Sequence, residues 1–355
     1  ETAPKQAEAS HAMGADLQYS CLGGNTYEII ATFYRDCDGI SAPSSFTVDI
    51  TSASCFANLS LTLFPDTLFV AGDTLLFGQE VSPLCPQDIF NSSCNGGSLP
   101  GVEIYIYSGV ITLPQACPDW TIGFSECCRN DAIDNLQNPD TWDLYIEATI
   151  DNTGSLCNNS PVFTELPVPF ICVNEPFNYN HGVVDADGDS LVFSLVNPLD
   201  DAGVNIPFVN PPYSVNYPIT TVSGTFGFDT QTGQMTFTPN AVQTGVLAVL
   251  VEEYRNGVLI GTTMRDIQIV VINCSNTPPV MTSSGITNFA GDGIQADSNS
   301  IEACPGDQIM FDIILGDNDA ADNIFVSSNL AASLPGATLT TVSYTHLTLP
   351  TSVIV

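Results

Sequence analysis

Residues 183–193 read VVDADGDSLVF, with Asp185, Asp187 and Asp189 at alternate positions between two apolar runs. Three carboxylates so spaced can converge on one cation. At about 5 Å, two carboxylates repel by about 3 kcal/mol at an effective dielectric of about 20, so a convergent cluster needs open water or a cation. Ca2+ suits it, because it takes about 6–8 oxygens in irregular geometry. An EF-hand is excluded: Ser190 stands where that loop needs glycine, and Val196 where it needs its closing glutamate. The alternative is an Asx/Gly turn between two strands, which Asp and Gly favour for local reasons.

A second copy favours the cation. CNNSPVF begins at Cys157 and CSNTPPV at Cys274; each is followed by another cysteine, Cys172 and Cys304. Thirteen residues beyond that cysteine come Asp185 in one copy and Asp317 in the other, within DADGDSLVFS and DNDAADNIFVS. The expected ligands are Asp185, Asp187 and Asp189 with an oxygen from the Asn158–Asn159 linker, taken as Asn159, and Asp317 and Asp319 with Asn276. The cysteines flanking each linker are expected to pair locally, Cys157 with Cys172 and Cys274 with Cys304. The eight cysteines before Cys157 are left unassigned.

Other chemistry is poorly provided for. The histidines are His11, His181 and His346, so a Ser/His/Asp or Cys/His site has His181 as its one base away from the ends of the chain. Lys5 is the single lysine, which leaves a phosphate-binding loop without its lysine. A carboxylate pair for glycoside hydrolysis stays open among 39 acidic residues. The stretch VEIYIY (102–107) alternates, placing Tyr105 and Tyr107 on one face. With Trp120 and Trp142 they could form a sugar-stacking platform, or they are ordinary strand aromatics.

The elements that must carry these residues are strands. Short Val/Ile/Phe/Tyr runs are cut by Gly, Pro, Asn and Asp throughout, and CCRNDAIDNL (127–136) is the best candidate for a helix. Asn256-Gly257 and Thr232-Gly233 read as hairpin turns. The spacing predicts an all-β chain of tandem immunoglobulin-like β-sandwich domains with disulfides. The expected divisions are a leader remnant at 1–9, a cysteine-rich β domain at 10–157, a sandwich at 158–274, a truncated second repeat at 275–341 and a non-native tail at 342–355. VSYTHLTLPT (342–351) resembles a translated transposase sequencing adapter, which is why the tail is set apart.

The 39 acidic residues face 5 basic ones, for a net charge of −34. Such a polyanion repels nucleic acid and anionic lipid and attracts divalent cations. Twelve cysteines without a C-x-x-C pattern point to disulfides and an oxidising compartment. No apolar run reaches the roughly 18 residues of a membrane span.

NNSPVF followed by DADGDSLVFSL resembles the cadherin-like and related PKD-like, immunoglobulin-fold repeats of extracellular proteins. In these an Asn/Asp-x-Pro linker and an Asp-x-Asp loop hold calcium together. FDTQTGQMTFTP (228–239) is similar to a hairpin signature of the same repeats. ASHAMGADLQYSCLGGNTYEIIATFYRDCDGI (9–40) and SECCRNDAI (125–133) resemble the N-terminal region of large secreted Bacteroidota surface proteins with gliding-motility-type sorting domains. That resemblance implies export by the type IX secretion system and a place on the outer cell surface. The expected function is a non-catalytic adhesin or structural stalk stiffened by Ca2+, with surface proteins or glycans as partners and neither nucleic-acid binding nor membrane insertion. The alternative is a glycan-binding module resting on the aromatics of the first domain.

Overall fold

The computed structural model describes residues 12–70, 73–84, 88–154, 157–167, 170–274, 280–295, 301–304, 306–316, 324 and 353–354. Two compact units emerge, one of Glu1–Leu68 with Thr74–Asn273, the other of Phe69–Asp73 with Cys274–Val355. The chain is all-β, and among the described residues the helices are three single 3-10 turns. None is long and apolar enough to cross a membrane.

The principal strands of the first unit are β1 (Ala12–Gly23), β2 (Thr26–Asp36), β3 (Phe46–Ser52), β4 (Ala57–Pro65), β5 (Val102–Thr112), β6 (Trp120–Glu126) and β7 (Leu144–Ile150). There follow β8 (Val162–Phe163), β9 (Phe170–Cys172), β10 (Phe177–Tyr179), β11 (Val183–Val184), β12 (Ser190–Val196), β13 (Met235–Phe237), β14 (Gln243–Arg255) and β15 (Val258–Ile272). β14 and β15 form a long hairpin whose turn is Asn256-Gly257, with φ of +53° and +79°. Those positive values are what a two-residue type I′ turn demands, and Asn-Gly meets them at low cost. Gly233, at φ +69°, makes the second expected turn, between Gly227–Phe228 and β13.

β15 organises the unit. One edge pairs with β14; the other pairs in succession with β7 (Ile150↔Gly261 to Ala148↔Thr263), with β1 (Asp16↔Arg265 to Gly14↔Ile267) and in parallel with β9 (Phe170↔Val270). The sheet runs β15-β1-β2-β5-β4-β3-β6-β7 and returns to β15, closing a ring of eight strands. Inside it lie Leu17, Ile29, Val48, Ile50, Tyr107, Trp120 and Ile146, all essentially inaccessible. A second core of Phe193, Met235, Phe237, Val249, Val251, Ile267 and Ile269 lies beneath β12, β14 and β15. The expected separation at 157/158 is therefore corrected. An unpaired edge of β15 would leave buried N–H and C=O groups unsatisfied, and β1 and β7 satisfy them.

Two ion pairs fasten β15 from adjacent residues. Arg265 reaches Asp16 at 2.8 Å, and Arg129 grips Asp266 with both terminal nitrogens, at 2.7 and 3.1 Å; all four side chains are buried. The expected helix at 127–136 is irregular instead. Cys127 and Cys128 are bonded to each other, and the backbone N–H groups of Arg129 and Asp134 go to Trp142 O and Thr244 O rather than to carbonyls one helical turn earlier.

The cysteine expectations are also corrected. Cys157 pairs with Cys21 on β1, Cα to Cα 5.6 Å, because residues 157–160 run alongside the end of that strand. Cys37–Cys94 and Cys55–Cys117 complete the tethering of the ring, and Cys172 and Cys274 are each disulfide-bonded. Cys304 is a free, exposed thiol and so is not the partner of Cys274.

In the second unit β16 (Val280–Gly291) pairs antiparallel with β17 (Ile309–Gly316), from Val280↔Gly316 to Gly291↔Ile309. Asn276, Asp317 and Asp319 lie outside the described residues. So does the segment 342–355, apart from Val353–Ile354, which pairs with Phe311 and Met310.

Candidate metal centre

The loop 185–189 stands immediately before β12, and β12 pairs with the far end of β14, Leu191 opposite Glu253 and Ser190 opposite Tyr254. This register carries Asp185 and Asp189 to Glu253. One oxygen from each of the three carboxylates lies within 4.8 Å of the others. Glu253 continues the inward alternation of Val249 and Val251 and is fully buried. Gly261, opposite it on β15, makes the room: a Cβ there would lie 3.0 Å from Glu253 Oε2 and 2.5 Å from the Tyr19 hydroxyl.

The loop is at the same time an Asx turn. Asp185 Oδ1 accepts the N–H groups of Asp187 and Asp189 at 3.0 and 2.8 Å, and Gly188 takes φ +80°. Its other oxygen, Oδ2, is buried with no hydrogen-bond partner, and so is Glu253 Oε1. Burial, with Asp185 and Asp189 adding charge repulsion, pushes the Glu253 carboxyl up to about 8. Asp189 is held below the usual carboxylate range by its hydrogen bonds with Arg255.

The segment 157–160 forms a strap across this cluster. Asn158, buried, donates from Nδ2 to Glu253 Oε2 at 2.8 Å. Asn159 donates from its backbone and side chain to Asp187 at 2.8 and 3.1 Å, while its side-chain Oδ1 accepts the Cys21 N–H at 2.9 Å. Ser160 bonds Tyr19 in both directions. Arg255, last residue of β14, donates from Nε to both Asp189 oxygens at 2.9 and 3.0 Å and from Nη2 to the same carboxylate. It also donates to Asn158 Oδ1 at 2.6 Å and lies 3.4 Å from Asp187.

Of the expected ligands, then, Asp185 and Asp189 converge. Asp187 and Asn159 bond each other at the rim instead of joining that convergence, and Asn159 Oδ1 accepts the Cys21 N–H. Glu253 joins the cluster without having been anticipated. Its signal is the run VLVEEYR, in which the second Glu falls on the inward phase of an apolar alternation.

The expected aromatic platform is not presented to solvent. Tyr107 and Trp120 are in the ring core, Tyr107 with its ring 4.5 Å from that of Phe46. Tyr105 packs edge-on against Phe77 and bonds Glu103, and half-buried Trp142 donates to Gln137 O. Closure of the sheet covers the face that an open strand would expose. His181 is equally sealed, its ring against Phe163 and Tyr179 and both nitrogens without partners. The chain matches no protein-family model, no curated protein and no solved structure.

Proposed function

We propose that this chain is a non-catalytic module of a secreted surface protein, an adhesin or stalk, whose strap is locked by Ca2+ at Asp185, Asp189 and Glu253. The observation that carries the metal is the pair of buried carboxylate oxygens, Asp185 Oδ2 and Glu253 Oε1, that meet no donor. A buried polar atom without a partner costs about 1–3 kcal/mol, more when charged. The donor set is all oxygen, which is the chemistry of a hard cation. Bound there, the ion would supply positive charge where the carboxylates repel and would hold the Asn158 side of the strap to β14. Because β1, β7 and β15 already share ladders, its effect is to lock the strap locally rather than to stiffen a hinge. The disulfides support an oxidising compartment, and the acidity favours cations and cationic protein surfaces over nucleic acid.

Calorimetry of the whole chain tests the reading. Ca2+ should bind with a Kd of about 10⁻⁴–10⁻³ M, the extracellular range. At ten times Kd it should stabilise the fold by about 1.4 kcal/mol. Glu253→Gln should abolish both heat and melting shift. Absence of heat and shift in the wild-type chain at millimolar Ca2+ overturns it.

A further inference from the structure

We propose that Arg255 is a resident counter-cation for this cluster, exchanged for Ca2+ when the metal binds, so that the strap is latched in both states. The inference rests on the metal reading above and names what regulates the same site.

The geometry makes the two cations competitors. Arg255 occupies both oxygens of Asp189, and Asp189 is one of the three carboxylates whose oxygens converge. It also takes Asn158 Oδ1, an amide oxygen on the strap beside the same cluster. A divalent ion drawing on Asp189 meets a guanidinium already bonded to it, and two like charges at that range repel strongly. One of them must leave, and only Arg255 has somewhere to go. It stands at the end of β14 before the exposed Asn256-Gly257 turn, with 20% of its side chain exposed, next to the partly exposed side chain of Asp187. A small rotation carries the guanidinium outward while Asp187 still pairs with it.

The guanidinium does not reach the whole cluster. Its nitrogens bond Asp189, Asn158 and Asp187, but Asp185 Oδ2 and Glu253 Oε1 receive no donor from it. Arg255 therefore satisfies the outer part of the site and leaves the inner part for the ion. An arginine suits this holding role because its charge is permanent and its fork meets a carboxylate with two donors. The consequence is a weakened metal site: every binding event must first break the Arg255–Asp189 pair, which places affinity in the range of an extracellular ion rather than a trace metal.

The test is Arg255→Gln in the whole chain, with Ca2+ affinity by calorimetry and melting in chelator. Arg255→Gln should bind Ca2+ at least about tenfold more tightly than wild type, about 1.4 kcal/mol, while melting lower in chelator. Arg255→Lys, which keeps the charge and loses the fork, should fall between them in both measurements. Wild type that binds Ca2+ with Arg255→Gln no tighter overturns the exchange and leaves the metal reading standing. Ca2+ binding by Arg255→Gln but not by wild type upholds Arg255 as the occupant and overturns the metal reading for the native chain. Binding by neither overturns both. Should Arg255→Gln fold only with Ca2+ present, the latch role is supported. Should it fold under neither condition, Arg255→Lys decides, and an affinity equal to wild type overturns the exchange.

Discussion

Asn158 donates to Glu253 at 2.8 Å across 95 residues of sequence, and the disulfide one residue before it, Cys21–Cys157, fixes the donor to a third strand. The acidic loop is thus the place where the chain leaving the eight-strand ring is fastened to the hairpin that closes the same ring. A carboxylate at this inward position has a cost that the Val249–Val251 alternation could have avoided with another apolar residue. The strap's amide, and the cation proposed above, offset it.

Gly261 should be irreplaceable by alanine. The added Cβ would lie 2.5 Å from the Tyr19 hydroxyl, which is held by Thr149 O, and 3.0 Å from Glu253 Oε2. Overpacking of this kind costs about 1–3 kcal/mol. Gly261→Ala should lower the midpoint of chemical denaturation by that amount and weaken Ca2+ binding, because Glu253 is pushed off its position. An unchanged midpoint would mean that β15 and Tyr19 can separate freely.

Removing the strap disulfide should be costly. Cys21 and Cys157 are 136 residues apart, and closing a loop of about that length stabilises by about 4–5 kcal/mol in the chain-entropy account. Cys21→Ser with Cys157→Ser should lose about 2–5 kcal/mol and lower Ca2+ affinity together. Peptide mapping without reduction should yield a Cys21–Cys157 fragment; a Cys157–Cys172 fragment would refute the strap.

Phe56 should be better replaced than kept. It lies in the loop between Ser52 and Ala57 at φ +51°, 96% exposed, flanked by the Cys55–Cys117 disulfide. A bulky residue in the left-handed region carries a penalty of about 1–2 kcal/mol, which asparagine largely escapes. Phe56→Asn should therefore raise stability by roughly 0.5–1 kcal/mol. A loss on thermal or urea unfolding would show that the ring makes contacts beyond this arrangement.

How much of this was legible depended on whether the physics was local. The strands, the Asn256-Gly257 turn and the convergence of Asp185 with Asp189 follow from patterns a few residues long. Glu253 joins them through the register of β12 on β14, 64 residues away, and its only local trace is a charge on an apolar phase. The pairing of Cys157 with Cys21 and the union across 157/158 depend on where β15 places its second edge, which no window of sequence contains. Tyr105 and Tyr107 alternate as expected, but an open sheet and a closed one give that alternation opposite meanings.

Acid should loosen the fold through His181. The imidazole is fully buried, both nitrogens lack partners, and burial with the charge of nearby Arg265 pushes its pKa down to about 3. Around it stand Phe163, Tyr179 and the Asp16–Arg265 pair, whose Asp16 carboxylate is engaged by Arg265 at 2.8 and 3.1 Å. In the unfolded chain the same group titrates near its ordinary value of about 6.5. Between these values the unfolded state binds the extra proton, so stability rises with pH across the window and is lost as pH falls through it. By about pH 5 the loss from this group alone amounts to about 2 kcal/mol. His181→Phe keeps the ring between Phe163 and Tyr179 and has no proton to take up. Denaturation midpoints measured from pH 7 to pH 4 should fall less steeply for His181→Phe than for wild type. Parallel curves would show that the acid sensitivity belongs to the carboxylates instead.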